Sequence, residues 1–84
     1  MIIGPPLSRF PSDAAKPPGS GWQWTGAVGS RPGDFQGNWY NPQTGETLHP
    51  DLNHPLPIGP HYDYRAPDGQ WYRWFPDGRF ELKV

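Results

Sequence analysis

The stretch His49–Arg65 holds the side chains that are best suited to chemistry. It contains all three histidines of the chain, two aspartates and four prolines. Imidazole and carboxylate groups exchange protons and are common acids and bases of enzymes. Prolines restrict the backbone, which lowers the entropy lost when such groups are held in one geometry. We therefore expect any reactive or binding centre of this chain to lie here.

His61 and Asp63 are two residues apart, so on a strand their side chains point to the same side. Together with Arg73 and Glu81 on neighbouring strands, they form a set able to cleave RNA without a metal ion. One group removes the 2′-hydroxyl proton, a second protonates the leaving 5′-oxygen, and an arginine stabilises charge on the phosphate. The alternative is a solvated sheet face on which Asp63, Arg73 and Glu81 form an ion network, each pair contributing about a few tenths of a kcal/mol.

The proline-rich run 49–60 is predicted to be a stiff loop that presents further polar groups over the same face. Asp51, Asn53 and His54 are the groups in question, although Asp51 or Asn53 could instead cap a turn. His49 is expected to be peripheral. Imidazole and carboxylate ligands suit zinc or manganese, which makes a metal site a weaker alternative. The histidine spacing matches no common zinc motif, and no metal is predicted.

Two copies of the turn sequence X-Pro-Asp-Gly, at 66–69 and 75–78, determine the expected structure of the C-terminal third. Each is typical of a type I turn followed by a glycine with positive φ, which closes a bulged hairpin. The two turns predict a three-stranded antiparallel meander over about residues 61–66, 70–75 and 79–83.

The bulged register of this meander separates two faces. The predicted cross-strand pairs are Asp63 with Arg73, Tyr62 with Trp74, Arg73 with Glu81, and Trp74 with Phe80. The face expected to form the core carries Tyr62, Tyr64, Tyr72, Trp74, Phe80 and Leu82. The opposite face carries His61, Asp63, Arg65, Arg73, Arg79, Glu81 and Lys83, with Trp71 and Phe75. These last two aromatic side chains could stack on nucleobases or be covered by the N-terminal segment.

The rest of the chain predicts a mostly β domain preceded by a tail, with a small α+β fold also possible. Residues 1–20 contain five prolines and are predicted to be a disordered linker, which leaves residues 21–84 as the domain. A short strand is expected at 21–25 and a hairpin at 37–40 and 46–48. The prolines of residues 49–60 are expected to prevent regular pairing there.

Composition limits the size of the core and the partners. A chain of 84 residues with only 33% hydrophobic residues supports one small domain. Its five tryptophans, four tyrosines and four phenylalanines supply an aromatic core, and the lack of cysteine excludes disulfides and thiolate zinc sites. The formal net charge of −1 gives no large field to attract nucleic acid. No apolar run of this sequence is long enough to span a membrane, and we expect no targeting signal in it.

Several strings of this sequence resemble the polymorphic toxin type 37 domain, a module at the C-termini of bacterial toxins. The resemblance covers about residues 16–83 and rests on KPPG, GWQW, GNWYNPQTGETLHPDLNHPLPIGPHYDY and FPDGRFELK. It implies a toxin effector domain that is delivered into competing cells, acts as an RNase and is neutralised by a dedicated immunity protein. The positions carried over by the resemblance are Asp51, Asn53, His54, His61, Asp63 and Arg79.

The residues and the resemblance together predict a secreted or delivered endoribonuclease that acts in the cytoplasm of the target cell. We expect a monomer with an RNA substrate and an immunity-protein partner, without a cofactor. The residues assigned to catalysis are His54, His61, Asp63, Arg73 and Arg79. Those assigned to substrate binding are Asp51, Asn53, Arg65, Trp71 and Glu81. The alternatives are a non-enzymatic protein-binding module of a secreted or phage-like assembly and a metal-dependent nuclease.

Overall fold

Six strands form one antiparallel sheet in the computed structural model, which describes residues 4–83. The strands are β1 (Gln23–Gly26), β2 (Gly37–Asn41), β3 (Glu46–Asp51), β4 (His61–Arg65), β5 (Trp71–Trp74) and β6 (Phe80–Leu82). Each strand pairs with the next one along the chain. Residues 4–83 contain no helix, and hence none that could cross a membrane. The predicted mostly β fold is confirmed.

The C-terminal meander has the predicted register. Asp63 lies opposite Arg73, and Arg73 lies opposite Glu81. The Gly69 N–H donates to the Ala66 carbonyl at 2.9 Å, as in a type I turn, and Gly69 has a φ of 89°. The second turn repeats this arrangement between Phe75 and Gly78. Turn chemistry alone was therefore sufficient to align β4, β5 and β6.

Strand β3 is longer than predicted, and this corrects the expectation of an irregular loop over all of residues 49–60. It continues through His49 and Pro50 to Asp51, which lies opposite His61 on β4. Strand β2 pairs with β3 only as far as Leu48. Pro50 therefore has a neighbouring strand on one side only. A proline is tolerated at such a position because the N–H that it lacks is not needed for a hydrogen bond between strands. The extension places Asp51 on the sheet beside His61.

The apolar face of the sheet is covered by the N-terminal segment, which differs from the predicted disordered tail. The Phe10 ring lies 5.2 Å from the rings of both Tyr62 and Trp74. The indole N–H of Trp39 donates to the Ala14 carbonyl at 2.9 Å. A single sheet has to bury one face against another layer, and here the apolar residues of a proline-rich segment supply that layer. Residues 1–3 of the predicted tail lie outside the described residues.

The opposite face carries the titratable side chains, as the register predicted. It is not uniformly solvated, because His61 and Asp63 are only 1% and 7% exposed. The rings of His54 and Phe75 pack against His61 and cover part of this face. The polar groups are therefore held in a partly dry environment, where electrostatic interactions are stronger than in water.

Candidate functional site

Two strands and one turn bring together four titratable side chains, here called the histidine–aspartate cluster: Asp51, His54, His61 and Asp63. Asp51 ends β3, and His61 and Asp63 belong to β4. Leu52 packs against the core and leads the chain into a turn that brings His54 back over Asp51. The sheet register and this turn together determine the geometry of the cluster.

His61 is the central member of the cluster. Its Nδ1 lies 2.8 Å from the Gly59 carbonyl, which can only accept a hydrogen bond, so Nδ1 carries a proton. Its Nε2 lies 3.2 Å from Asp63 Oδ1 and 3.5 Å from Asp51 Oδ2. The imidazole ring packs between those of His54 and Phe75, with centroid distances of 5.3 and 5.5 Å. Its Nε2 therefore faces two carboxylates and is held there by packing on both sides.

Asp51 links the two imidazoles of the cluster. The same oxygen, Oδ2, lies 2.8 Å from His54 Nδ1 and 3.5 Å from His61 Nε2. When His54 donates through Nδ1, its Nε2 is the nitrogen left to accept a proton. The His54 side chain is 33% exposed. His54 is thus an imidazole oriented by a carboxylate and accessible to solvent.

Asp63 is buried and contacts a cation that sequence reasoning missed. Lys83 Nζ lies 3.3 Å from Asp63 Oδ1. The backbone N–H of Lys83 donates to the Trp71 carbonyl at 2.9 Å, which extends the pairing of β6 with β5 by one residue. The register had placed Lys83 on the correct face. Extending the predicted register by one more strand, to the diagonal neighbours of Asp63, would have placed Lys83 in the site.

Two clefts are lined by members of the histidine–aspartate cluster. One, of about 520 Å³, is lined by Asn38, His49, Asp63, Trp71 and Lys83. The other, also of about 520 Å³, is lined by residues 33–35 and 50–55, which include Asp51, Asn53 and His54. Asp63 therefore faces one cleft, and Asp51 and His54 face the other. A ligand in either cleft would reach a carboxylate that contacts His61.

The predicted arginines do not join the cluster. Arg79 lies over the Phe75 ring at 4.1 Å and pairs with Asp77 at 2.9 Å and Glu81 at 3.4 Å. Hydrogen bonds from the Arg79 backbone and guanidinium, together with its charge, lower the pKa of Asp77, so that carboxylate stays ionised and keeps Arg79 engaged. Arg73 lies opposite Asp63, yet within residues 4–83 it forms no salt bridge, and its buried Nε has no hydrogen-bond partner.

The proposed ion network of Asp63, Arg73 and Glu81 is consequently absent from the described residues. Asp63 pairs with Lys83, and Glu81 pairs with Arg79. The register determines which backbone positions lie opposite each other, but a long side chain can reach several neighbours on the same face and pair with any of them.

The predicted binding residues are dispersed around the cluster. Asn53 is exposed and borders the cleft beside His54. Trp71 is 37% exposed and lines the cleft beside Asp63. Arg65 is exposed at the end of β4. His49 has a structural contact, since its Nδ1 lies 2.9 Å from the Gly37 carbonyl where the pairing of β2 and β3 has ended.

Comparison of this chain with family models, with curated proteins and with solved structures finds no match. The chemistry of the site is therefore inferred from its geometry. Two imidazoles oriented by carboxylates can transfer protons, and the same donor atoms can bind a metal ion.

Proposed function

We propose that this chain is a bacterial polymorphic-toxin effector domain that cleaves RNA by general acid and base catalysis without a metal ion. The observation that carries the proposal is the buried Nε2 of His61, which faces Asp51 and Asp63 while a second imidazole, that of His54, packs beside it at a tilted angle. The resemblance of residues 16–83 to the toxin domain supports the biological setting, with a cognate immunity protein as the partner.

In the proposed reaction His54 is the base. Asp51 accepts its Nδ1–H, and this orients Nε2 toward the cleft, in the way that a carboxylate orients a catalytic histidine. His54 removes the proton of a ribose 2′-hydroxyl, and the resulting oxygen attacks the adjacent phosphorus. The half-exposed position of His54 gives the substrate access to it.

The acid in the proposed reaction is His61, acting with Asp63. In its protonated form, His61 passes the proton of Nε2, the nitrogen that faces Asp51 and Asp63, to the leaving 5′-oxygen. The products are a 2′,3′-cyclic phosphate and a 5′-hydroxyl, so the proton removed at one oxygen is balanced by the proton delivered to the other. Lys83, beside Asp63, takes the phosphate-binding role that the sequence assigned to Arg73 and Arg79.

The placement of the carboxylates favours an enzyme over a protein-binding module. A binding surface would be a flat patch on which arginines neutralise the carboxylates. Within residues 4–83, no arginine forms a salt bridge with Asp51 or Asp63. Both carboxylates contact imidazoles, Asp63 also pairs with Lys83, and each carboxylate lines a cleft. Such groups, held in a partly buried concavity, are typical of active sites.

Induced expression in bacteria tests the proposal. Cells that express the wild-type chain should stop growing and show degraded RNA and intact DNA on a gel. Cells that express His54→Ala or His61→Ala should grow and keep their RNA, whereas Lys16→Ala, a change at an exposed position outside the site, should behave as wild type. Intact nucleic acids without a growth defect in wild-type cells would contradict the proposal.

A further inference from the structure

The donor atoms of the histidine–aspartate cluster have the separation of metal ligands. One ligand atom from each of Asp51, His54 and His61 lies within 4.8 Å of the others. His61 Nε2 is 3.5 Å from Asp51 Oδ2 and 3.2 Å from Asp63 Oδ1. Nitrogen and oxygen ligands about 2.0–2.2 Å from a tetrahedral zinc ion are about 3.3–3.6 Å apart. The separations between His61 Nε2 and the two carboxylate oxygens are close to this range, and His54 lies near enough to Asp51 and His61 to join them at one ion.

The surroundings of His61 point to the same kind of ligand. A metal-binding histidine commonly donates its second N–H to a carbonyl or carboxylate, which determines the direction of the ligating nitrogen. The Nδ1 contact of His61 with the Gly59 carbonyl has this form, and it aims Nε2 at the two carboxylates. Because His61 is 1% exposed, its ring has little freedom to turn away.

Asp63 supplies an independent observation that points to a cation as the ligand. Its side chain is nine-tenths buried, and Oδ1 lacks a hydrogen bond of good geometry within residues 4–83. Buried carboxylate oxygens usually have such partners, and the cost of leaving one without them is high. The Lys83 ammonium at 3.3 Å offsets one of the two carboxylate charges of the cluster. With both imidazoles neutral, the cluster and Lys83 together carry a net negative charge that favours a dication.

We propose that Asp51, His54 and His61 bind one divalent transition-metal ion of the zinc class, with Asp63, which contacts His61, supplying a second carboxylate. Two nitrogen and two oxygen ligands suit zinc, cobalt or manganese rather than calcium or magnesium, which prefer oxygen alone. The inference does not depend on RNA cleavage. The ion and the proton compete for the same Nε2 of His61, so in a chain that cleaves RNA as proposed, added zinc inhibits the reaction.

Metal titration of the purified full-length chain, stripped with a chelator and dialysed, tests this site directly. Cobalt(II) should give visible absorption bands of a four-coordinate site, saturating at one ion per chain, and zinc should displace it. The melting temperature should rise with zinc and stay constant with magnesium. Failure of the wild-type chain to bind cobalt or zinc at this stoichiometry would overturn the proposal.

Variants separate the cluster from adventitious binding. His54→Gln and Asp51→Asn should each weaken cobalt affinity by at least about 10-fold, the loss that even an outer-shell partner can cause. His49→Gln, which changes the one histidine outside the cluster, should bind as wild type. Because His54 is partly exposed, its variant should fold even if a change at the buried His61 does not. Equal affinity in wild type, His54→Gln and Asp51→Asn would also overturn the proposal.

Discussion

Replacing Asp51 with asparagine is the change that separates catalysis from stability most clearly. Asp51 Oδ2 contacts His54 at 2.8 Å and His61 at 3.5 Å, so one substitution removes the charge that orients His54 and faces His61. Loss of an oriented base lowers the rate of proton transfer by about 10²- to 10⁴-fold. We expect the rate of RNA cleavage by Asp51→Asn to fall within that range.

The stability cost of the same substitution should be small. A hydrogen bond to a charged group contributes about 1.5–3 kcal/mol, but asparagine keeps an accepting oxygen and His54 is partly exposed, so we expect a loss of about 1 kcal/mol. A domain with an unfolding free energy of about 5 kcal/mol or more remains folded after such a loss. Unfolding therefore does not account for the predicted loss of rate.

Two measurements on the purified variant test this reasoning. Initial rates on a fluorogenic single-stranded RNA give the catalytic effect, and urea unfolding followed by tryptophan fluorescence gives the stability. Asp68→Asn is the matched control, because Asp68 accepts one backbone N–H in an exposed turn away from the cluster. A wild-type rate for Asp51→Asn, or an equal loss in Asp68→Asn, would refute the assigned role.

Three further predictions concern a cation, a buried hydroxyl and the N-terminal segment. Steady-state kinetics of Lys83→Ala should show a raised KM for RNA with a smaller effect on kcat. An unchanged KM, or an equal rise in KM for the control Lys16→Ala, would contradict phosphate binding by Lys83. Burial raises the pKa of Tyr62 from 10.0 to about 12, with a smaller effect of the Asp13 charge. The stability that the protonated Tyr62 hydroxyl contributes is therefore complete below pH 10 and is lost as the pH rises toward 12. The Tyr62 hydroxyl is buried and has no hydrogen-bond partner among residues 4–83, so Tyr62→Phe should be at least as stable as wild type at pH 7 and should keep more of its stability above pH 10 in urea titrations. A large loss of stability at pH 7 would refute this. Phe10→Ala should lower the unfolding free energy by about 2–3 kcal/mol, since this ring packs on Tyr62 and Trp74, whereas an unchanged urea midpoint would support a disordered tail.

The meander and the identity of its polar face were predictable because local chemistry determines them. The repeated X-Pro-Asp-Gly sequence sets the turn type, the turn sets the register, and the two-residue period of a strand then assigns each side chain to a face. His61 and Asp63 were therefore placed together correctly without any tertiary information.

The remaining features depend on contacts between distant parts of the chain. Pro50 could enter β3 only because β2 stops pairing at Leu48, which no local rule reveals. Phe10 is ordered by a sheet face that forms from residues far along the chain. Lys83 rather than Arg73 pairs with Asp63, because side-chain pairing depends on reach and competition as well as on backbone register.

Cleavage of a defined RNA by the purified chain, in the presence of a metal chelator, tests the central claim most directly. The wild-type chain should cut RNA into products that end in a 2′,3′-cyclic phosphate, and it should leave the matching DNA intact because DNA lacks the 2′-hydroxyl. His54→Ala should cut at least about 100-fold more slowly. RNA that stays intact with the wild-type chain, or DNA that is cut equally well, would contradict the account.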